Sequence, residues 1–461
     1  MSPYKDKKVA IIGLSVEGVD TAAFFAKEQA VLTFCDRRTK ESLGKTYTTL
    51  AALSSRFQLG DAYVSRLDGF DLIVRTPGMS LRTPQLQSAA AKGIPIESQT
   101  TLFFKHCQAP IIGVTGTKGK GTTSTLIHTI LRASGRNSWL GGNVGTPLLS
   151  RVREIAPSDI VVLELSSFQL EDLTRSPHVA VVLKVTQEHL ANFDPLATNY
   201  HTSREAYVEA KKSIVRHQKN HDMVVCNADD PTSVSFSKET RGKAYYFSRS
   251  QSSADSFVND RAVYVKWNNG VHLICRLSDI HLLGMHNLEN IASAALVGVL
   301  MGAPIESIRG AVRTFKGLEH RLEYVRTVSG VAYYDDSFST VPETTIAAIE
   351  SFTVPLVLIA GGSEKGSDYS GLGKKIAASD TKALVVVGQM AQRIAKAATD
   401  AGYTGEIVRG LQSMEEIVSV CAQKAKHGDA VLLSPACASF DMFTNYKERG
   451  SLFKQEVLRL S

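Results

Sequence analysis

The sequence predicts an α/β protein of three domains. Short apolar runs with strand character alternate with longer helical patterns along the whole chain. Several of those runs end in Gly-, Ser-, Thr- or Asp-rich turns, where parallel strands carry ligand groups. At 461 residues the chain is also too long for a single core.

The first domain spans residues 1–108. Val9–Leu14 reads as a buried strand, and Ser15-Val16-Glu17-Gly18 turns into a helix through Ala22, Phe25 and Ala26. Val31–Cys35 is a second strand ending at Asp36-Arg37-Arg38, and Asp71–Val74 another, ending at Thr76-Pro77-Gly78. This is a doubly wound, Rossmann-like pattern. It is not a dinucleotide fingerprint: Gly13 and Gly18 are present, but Ser15 replaces the middle glycine, which lets backbone approach a pyrophosphate. That argues against a dehydrogenase.

The second domain, 109–316, opens on the most informative stretch of the chain. Ile111-Ile112-Gly113-Val114-Thr115 reads as a strand. Gly116-Thr117-Lys118-Gly119-Lys120-Gly121-Thr122-Thr123 then forms a glycine-rich loop into a helix through Leu126, Ile127, Ile130 and Leu131. Tight glycine turns aim backbone N–H groups inward, Lys120 adds a positive charge, and the helix N-terminus adds partial charge of the same sign. The loop suits a triphosphate, with Thr122 or Thr123 supplying the hydroxyl for magnesium. Trp139 to Pro147 reads as a second Gly-rich loop carrying Asn143. Strand Asp159–Leu163 delivers Glu164 to its tip, where a magnesium ligand sits beside a phosphate loop. His178–Val185 is a strand followed by His189, and Arg204–Val215 a helix carrying Lys211 and Lys212. By themselves these three read as a surface histidine and a solvated basic face. Met223–Asn227 is a strand leading to the Asp230-Pro231 helix start. Trp267-Asn268-Asn269-Gly270 marks a hairpin, so 244–283 reads as a small β insert in a P-loop ATPase-like parallel sheet. His286-Asn287-Leu288-Glu289-Asn290 opens a long apolar helix, Ile291–Met301.

The third domain, 317–461, is again Rossmann-like. Strands Val331–Tyr334, Leu356–Ala360, Ala383–Val387 and Ala430–Leu433 alternate with helical patterns such as Met414–Lys424. Three strand ends carry polar clusters: Asp335 to Thr340, Gly361 to Gly366, and Ser434 to Ser439.

Composition narrows the class. With 43% apolar and 21% charged residues the chain is globular rather than disordered. No run reaches membrane-span length and no secretory leader is evident, so a cytoplasmic protein with no membrane partner is expected. Six dispersed cysteines without a Cys-x-x-Cys pair argue for reduced thiols and against zinc. The net charge of +7 has no arginine-rich tract behind it. It suits polyanionic small molecules rather than nucleic acid.

Taken together, the chain resembles the Mur ligases over essentially its full length, and among them the D-glutamate-adding branch. The resemblance rests on Glu164-Leu165-Ser166-Ser167-Phe168-Gln169-Leu170-Glu171, and on Ser434-Pro435-Ala436-Cys437-Ala438-Ser439-Phe440-Asp441 running on to Asn445-Tyr446-Lys447-Glu448-Arg449-Gly450. His286-Asn287-x-x-Asn290 and Leu318-Glu319-His320-Arg321-Leu322-Glu323 are more widely shared. The resemblance implies an ATP-dependent ligase that adds D-glutamate to UDP-N-acetylmuramoyl-L-alanine through an acyl phosphate. It also implies a monomer with two magnesium sites that manganese can also fill. It would make 1–108 the UDP-substrate domain, 109–316 the ATP domain and 317–461 the amino-acid domain.

The family's roles fall on Gly116 to Thr123, with Lys120, for the phosphates. Thr122, Glu164, His189 and a carbamylated Lys211 take the metals, with Lys212 as the register alternative. His286, Asn287 and Asn290 take the adenine side, and Arg321 reaches the ATP phosphates. Ser15, Val16, Asp36, Arg37 and Gly78 match uridine-nucleotide positions, and Asn143, Ser166 and Gln169 the muramoyl path. Thr340, Lys365, Ser439 and Tyr446 match the D-glutamate positions. Two departures stand out. Phe338 occupies the place of a usual lysine, which leaves room for another acceptor such as L-glutamate. Gly121 gives the Lys-Gly-Thr form shared with folylpolyglutamate synthases, the remaining alternative.

Overall fold

The computed structural model describes residues 2–186, 199–364 and 366–461. Three sheets make the fold. The first is β1 (Lys8–Ile12), β2 (Val31–Asp36), β3 (Phe57–Leu59), β4 (Leu72–Arg75) and β5 (Ile96–Ser98), all parallel in the order β3-β2-β1-β4-β5. The strand order reverses between β1 and β4, and Gly13 and Thr76 follow those two strands. Gly13 has φ +86° there, and a Cβ on it would press on the Thr76 side chain. A Cβ on Gly18 would strike the Gly13 carbonyl, so these two glycines serve close strand–helix packing.

The second sheet has nine strands: β6 (Ile111–Thr115), β7 (Ser138–Gly142), β8 (Ile160–Glu164), β9 (Val179–Val182), β10 (Met223–Asn227), β11 (Lys243–Ser248), β12 (Ser256–Asn259), β13 (Ala262–Trp267) and β14 (Gly270–Arg276). Their order is β14-β13-β12-β11-β10-β9-β6-β8-β7. One expectation needs correction. The stretch expected as a second loop begins with β7, which pairs parallel to β8 over Ser138↔Ile160 to Gly142↔Glu164. Only 143–147 is loop, because the ladder to β8 satisfies the backbone of the preceding glycines. The small β element expected at 244–283 is built onto the central sheet. β11 pairs parallel to β10 and β12 to β11, so the segment extends the central sheet. The expected hairpin turn is there: Asn268 and Asn269 carry φ +49° and +61°, the pair a two-residue turn requires.

The third sheet holds β15 (Glu323–Val328), β16 (Val331–Asp335), β17 (Leu356–Gly361), β18 (Thr381–Val387), β19 (Glu406–Val408) and β20 (Ala430–Leu433), in the order β15-β16-β20-β17-β18-β19. Alternate residues feed two cores. Leu356, Leu358, Leu384, Val386 and Leu432 pack on one face, and Val357, Ile359, Val385, Val431 and Leu433 on the other. Burial on both faces explains the unbroken apolar strands.

The chain falls into two compact units, residues 1–275 with 288–312, and 276–287 with 313–461. The first unit contains both N-terminal sheets because they share a core, from Val9, Ile11 and Phe34 through Phe103 and Leu149 to Val161 and Leu163. Among the described residues no helix is long and apolar enough to cross a membrane. All six cysteines are unpaired.

Candidate active site

Strand β6 lies between β8 and β9, so the loop it delivers emerges at the point where the sheet changes direction. Register sets Val114 beside Glu164 and Thr115 beside Val182. Gly119 caps the helix Lys120–Ala133 at φ +85°, and the Asn290 amide oxygen fills the space a Cβ would need. The Lys120 ammonium folds over the loop and donates to the Gly116 and Thr117 carbonyls at 3.2 and 2.8 Å. Thr117 Oγ1 accepts from the Thr186 N–H at 2.9 Å and meets the Tyr207 hydroxyl at 3.1 Å. Thr123 is buried and its hydroxyl donates to Asn290 Oδ1 at 3.4 Å, whereas Thr122 is half-buried and Lys118 exposed. Gly121 lies in the first turn of that helix.

One charged group reaches this loop and another ends the strand beside it. Glu164 ends β8, is buried, and accepts from Asn143 Nδ2 at 3.3 Å, while the Asn143 N–H donates to its carbonyl at 3.0 Å. Lys211 comes from the helix Arg204–Arg216, which Ser203 caps by accepting from the Ala206 N–H at 3.2 Å. It is 1% exposed and donates to Thr115 Oγ1 at 3.2 Å and the Gly116 carbonyl at 3.1 Å, its ammonium 4.6 Å from the Tyr207 ring. Lys212 turns away to Glu239 at 2.8 Å. His189 lies outside the described residues.

After β1, Ser15 precedes the helix Val16–Lys27 without capping it, and Val16 is 71% exposed. Asp36 accepts from the Leu14 N–H at 2.8 Å and from the Arg38 fork at 2.9–3.0 Å. Burial opposes its ionisation, but Arg38 and the backbone donors hold its carboxyl below the usual range. Arg37 beside it is exposed, as is Gly78. Ser166 and Gln169 cap each other across the short helix Ser167–Leu170. Gln169 is buried and donates onward to Glu17 at 3.2 Å, joining the first two sheets. Burial raises the Glu17 carboxyl above its ordinary range.

In the second unit, β16, β20 and β17 are neighbours, so the three polar clusters meet at one sheet edge. Ala436 N–H donates to the Ser339 carbonyl at 2.9 Å, and Ser363 N–H to the Ala438 carbonyl at 2.9 Å. Ser439 is buried, Thr340 half-buried, and Lys365 lies outside the described residues. Tyr446 opens the helix Tyr446–Arg459, which Asn445 caps. The Arg321 guanidinium lies over the Phe338 ring. His286 is exposed, and Asn287 donates to the Leu283 carbonyl at 2.6 Å.

Several residues at this edge carry no role from sequence alone. Arg449 is buried, with its fork donating to Ser337 Oγ and carbonyl at 2.9 Å and to the Cys437 and Ala438 carbonyls at 3.2 and 3.3 Å. It clamps two of the clusters together. Asp335 pairs with His320 Nδ1 at 2.7 Å. Asp336 accepts from Ser434 Oγ at 2.7 Å and the Leu322 N–H at 3.1 Å, and burial pushes its carboxyl up to about 6. The only signal for Arg449 was a charged residue inside a recurrent motif.

Three family models match the chain. Residues 7–98 match the Mur ligase MurD-like N-terminal domain, 114–298 the Mur ligase middle domain, and 320–437 the Mur ligase glutamate ligase domain. UDP-N-acetylmuramoylalanine–D-glutamate ligase of Symbiobacterium thermophilum is 40% identical over 99% of this chain and 98% of its own. The enzyme of the same name from Acetivibrio thermocellus is also 40% identical, over 98% and 96%. Among solved structures, MurF of Acinetobacter baumannii aligns with a TM-score of 0.60 at 14% identity, covering 98% of this chain and 93% of that one. UDP-N-acetylmuramate-alanine ligase of Thermotoga maritima aligns at 0.57 and 17%, covering 98% and 99%. These two likenesses concern the fold.

Proposed function

The chain belongs to the Mur ligase family, and from that premise we propose that it joins D-glutamate to UDP-N-acetylmuramoyl-L-alanine with conversion of ATP to ADP and phosphate. The family implies dependence on ATP and magnesium. The reaction is a cytoplasmic step of peptidoglycan precursor synthesis, carried out by a monomer. Residues 1–108 take the UDP substrate, 109–316 ATP and 317–461 the amino acid.

The γ-phosphoryl group passes from ATP to an oxygen of the L-alanyl carboxylate, releasing ADP and leaving an acyl phosphate. The D-glutamate amine attacks the acyl carbon, and the tetrahedral adduct expels phosphate as the nitrogen loses its proton. Both steps bring anions together, so the site must supply positive charge and fixed donors. Lys120 and the N–H groups of Gly116 to Thr123 do this for ATP, and Arg321 adds a second cation. A buried carboxylate, Glu164, beside a phosphate loop fits a hard divalent cation. Thr122, Glu164, His189 and Lys211, the last as its carbamate, are the groups that would hold magnesium at two sites, with manganese as a substitute. When bound, the metal neutralises phosphate charge. Asn290 supports the loop from beside Gly119, Asn143 orients Glu164, and His286 and Asn287 serve the adenine end. The UDP-linked substrate takes Ser15, Val16, Asp36, Arg37 and Gly78, with Ser166 and Gln169 on its path. Thr340, Lys365, Ser439 and Tyr446 take D-glutamate.

The observation that carries this reading is the buried Lys211 amine donating to the first glycine of the phosphate loop, beside the Glu164 strand. A second reading, L-glutamate as acceptor, draws on Phe338 in place of the family's lysine. Phosphate release with UDP-N-acetylmuramoyl-L-alanine and a panel of amino acids tests both. Turnover with D-glutamate is expected. Turnover with L-glutamate alone moves the chain within the family, and turnover with a pteroyl acceptor alone refutes the assignment.

A further inference from the structure

Phe338 is 42% exposed on the polar edge of the third sheet, an unusual place for a large apolar side chain. Its ring is not idle. The Arg321 guanidinium carbon stands 4.5 Å from the ring centroid, within cation–π range. The ring also meets Tyr446 edge to face, with centroids 5.3 Å apart and planes at 85°. Tyr446 in turn meets the His320 ring at 6.1 Å and 88°. The backbone closes the same circle. Phe338 N–H donates to the His320 carbonyl at 2.9 Å, and Leu322 N–H to Asp336 Oδ1 at 3.1 Å. His320 and Leu322, on either side of Arg321, both sit in the left-handed region at φ +61° and +44°. Arg321 is therefore the tip of a tight turn tied at both shoulders, with its side chain laid on the ring of Phe338.

We infer that Phe338 is a positioning residue that holds the Arg321 guanidinium in one orientation for phosphate binding. This rests on the reading of Arg321 as an ATP-phosphate group. A long exposed arginine samples many rotamers and loses that freedom when it binds. A ring face restricts it beforehand, and edge contact with Tyr446 fixes the ring itself. A lysine at 338 would do the reverse, setting an ammonium against the guanidinium. The chain thus exchanges a second cation at this edge for better control of the first.

The test uses the full-length chain with Phe338→Leu, Phe338→Tyr and Arg321→Ala. Mg-ATP binding is measured by calorimetry, and KM for ATP and for D-glutamate from phosphate release. Phe338→Leu is expected to weaken Mg-ATP binding and raise its KM about three- to fivefold, with KM for D-glutamate within about twofold. Phe338→Tyr restores the ring face and the affinity. In the Arg321→Ala background Phe338→Leu adds nothing more. A rise confined to KM for D-glutamate, or a full additional loss in the Arg321→Ala background, overturns the proposal. If the unsubstituted chain does not turn over D-glutamate, the proposed reaction fails by itself. The Mg-ATP titration still decides the role of Phe338, and equal affinity for the wild type and Phe338→Leu overturns it.

Discussion

Lys211 is an amine only 1% exposed, and an ammonium at that depth is costly unless oxygens surround it or its charge is removed. Thr115 Oγ1 and the Gly116 carbonyl accept from it, on the edge of the glycine-rich loop. Carbamylation would turn that amine into a carboxylate able to bridge metals. Lys211→Ala is expected to lower kcat roughly a hundred- to thousandfold, with partial rescue by added short carboxylates. Full activity would place the metal ligand elsewhere. Lys212→Ala is the control, since its pair to Glu239 is partly exposed and worth about 1 kcal/mol or less. Asp336 makes a different residue-scale prediction. Burial favours its neutral form, so its folded pKa lies above the unfolded value. The stability it contributes is complete below the ordinary carboxylate range and is lost as pH rises through about 6. Asp336→Asn, neutral throughout, should flatten the melting-temperature profile between about pH 4 and about pH 7. An unchanged slope would mean that another group titrates. The family resemblance singles out Lys211, but its burial, like that of Asp336, is not written in local pattern: a lysine on a basic helix face and an aspartate in a polar cluster look ordinary until the fold buries them.

At the scale of elements, glycines show why local pattern alone misleads. Gly119 holds φ +85° against the Asn290 side chain, so Gly119→Ala should cost about 1–2 kcal/mol and weaken ATP binding. Melting and KM for ATP check it together. Gly450 lies inside the helix Tyr446–Arg459, where exchange for alanine ordinarily stabilises by about 1 kcal/mol. Here His320 Nδ1 and Asp335 Oδ2 occupy the place of the new methyl group. Gly450→Ala should destabilise by about 1–3 kcal/mol instead, and a raised melting temperature would refute the packing argument. The long strands β1, β2, β6, β8, β10 and β17 were legible as apolar runs bounded by turns. The short edge strands β3, β5 and β19 were not, since half-buried ladders of three residues carry no periodicity. β7 was hidden for another reason: its glycines read as loop, yet β8 pairs with every residue of it.

Across the whole molecule, the first two sheets are one compact unit, and a buried ion pair marks their seam. Arg75 has no exposed side-chain area and donates to Asp172 at 2.8 Å and to the Met79 carbonyl at 3.0 Å. Arg75→Met would leave Asp172 without its cation and is expected to cost about 3 kcal/mol. Chemical unfolding measures this, and a loss below about 0.5 kcal/mol would show that the shared core alone holds the seam. Sequence by itself determined the three α/β patterns, the glycine-rich loop with its lysine, the strand-end position of Glu164 and the family. These are local facts, written in short-range periodicity and motif spacing. Tertiary structure alone decided that the 244–283 segment extends the central sheet, that the Lys211 amine is buried against the Gly116 carbonyl while Lys212 pairs with Glu239, that Gln169 bridges two sheets, and that Arg321 rests on Phe338. Each depends on partners tens to hundreds of residues away, brought together by chain topology that no local pattern encodes.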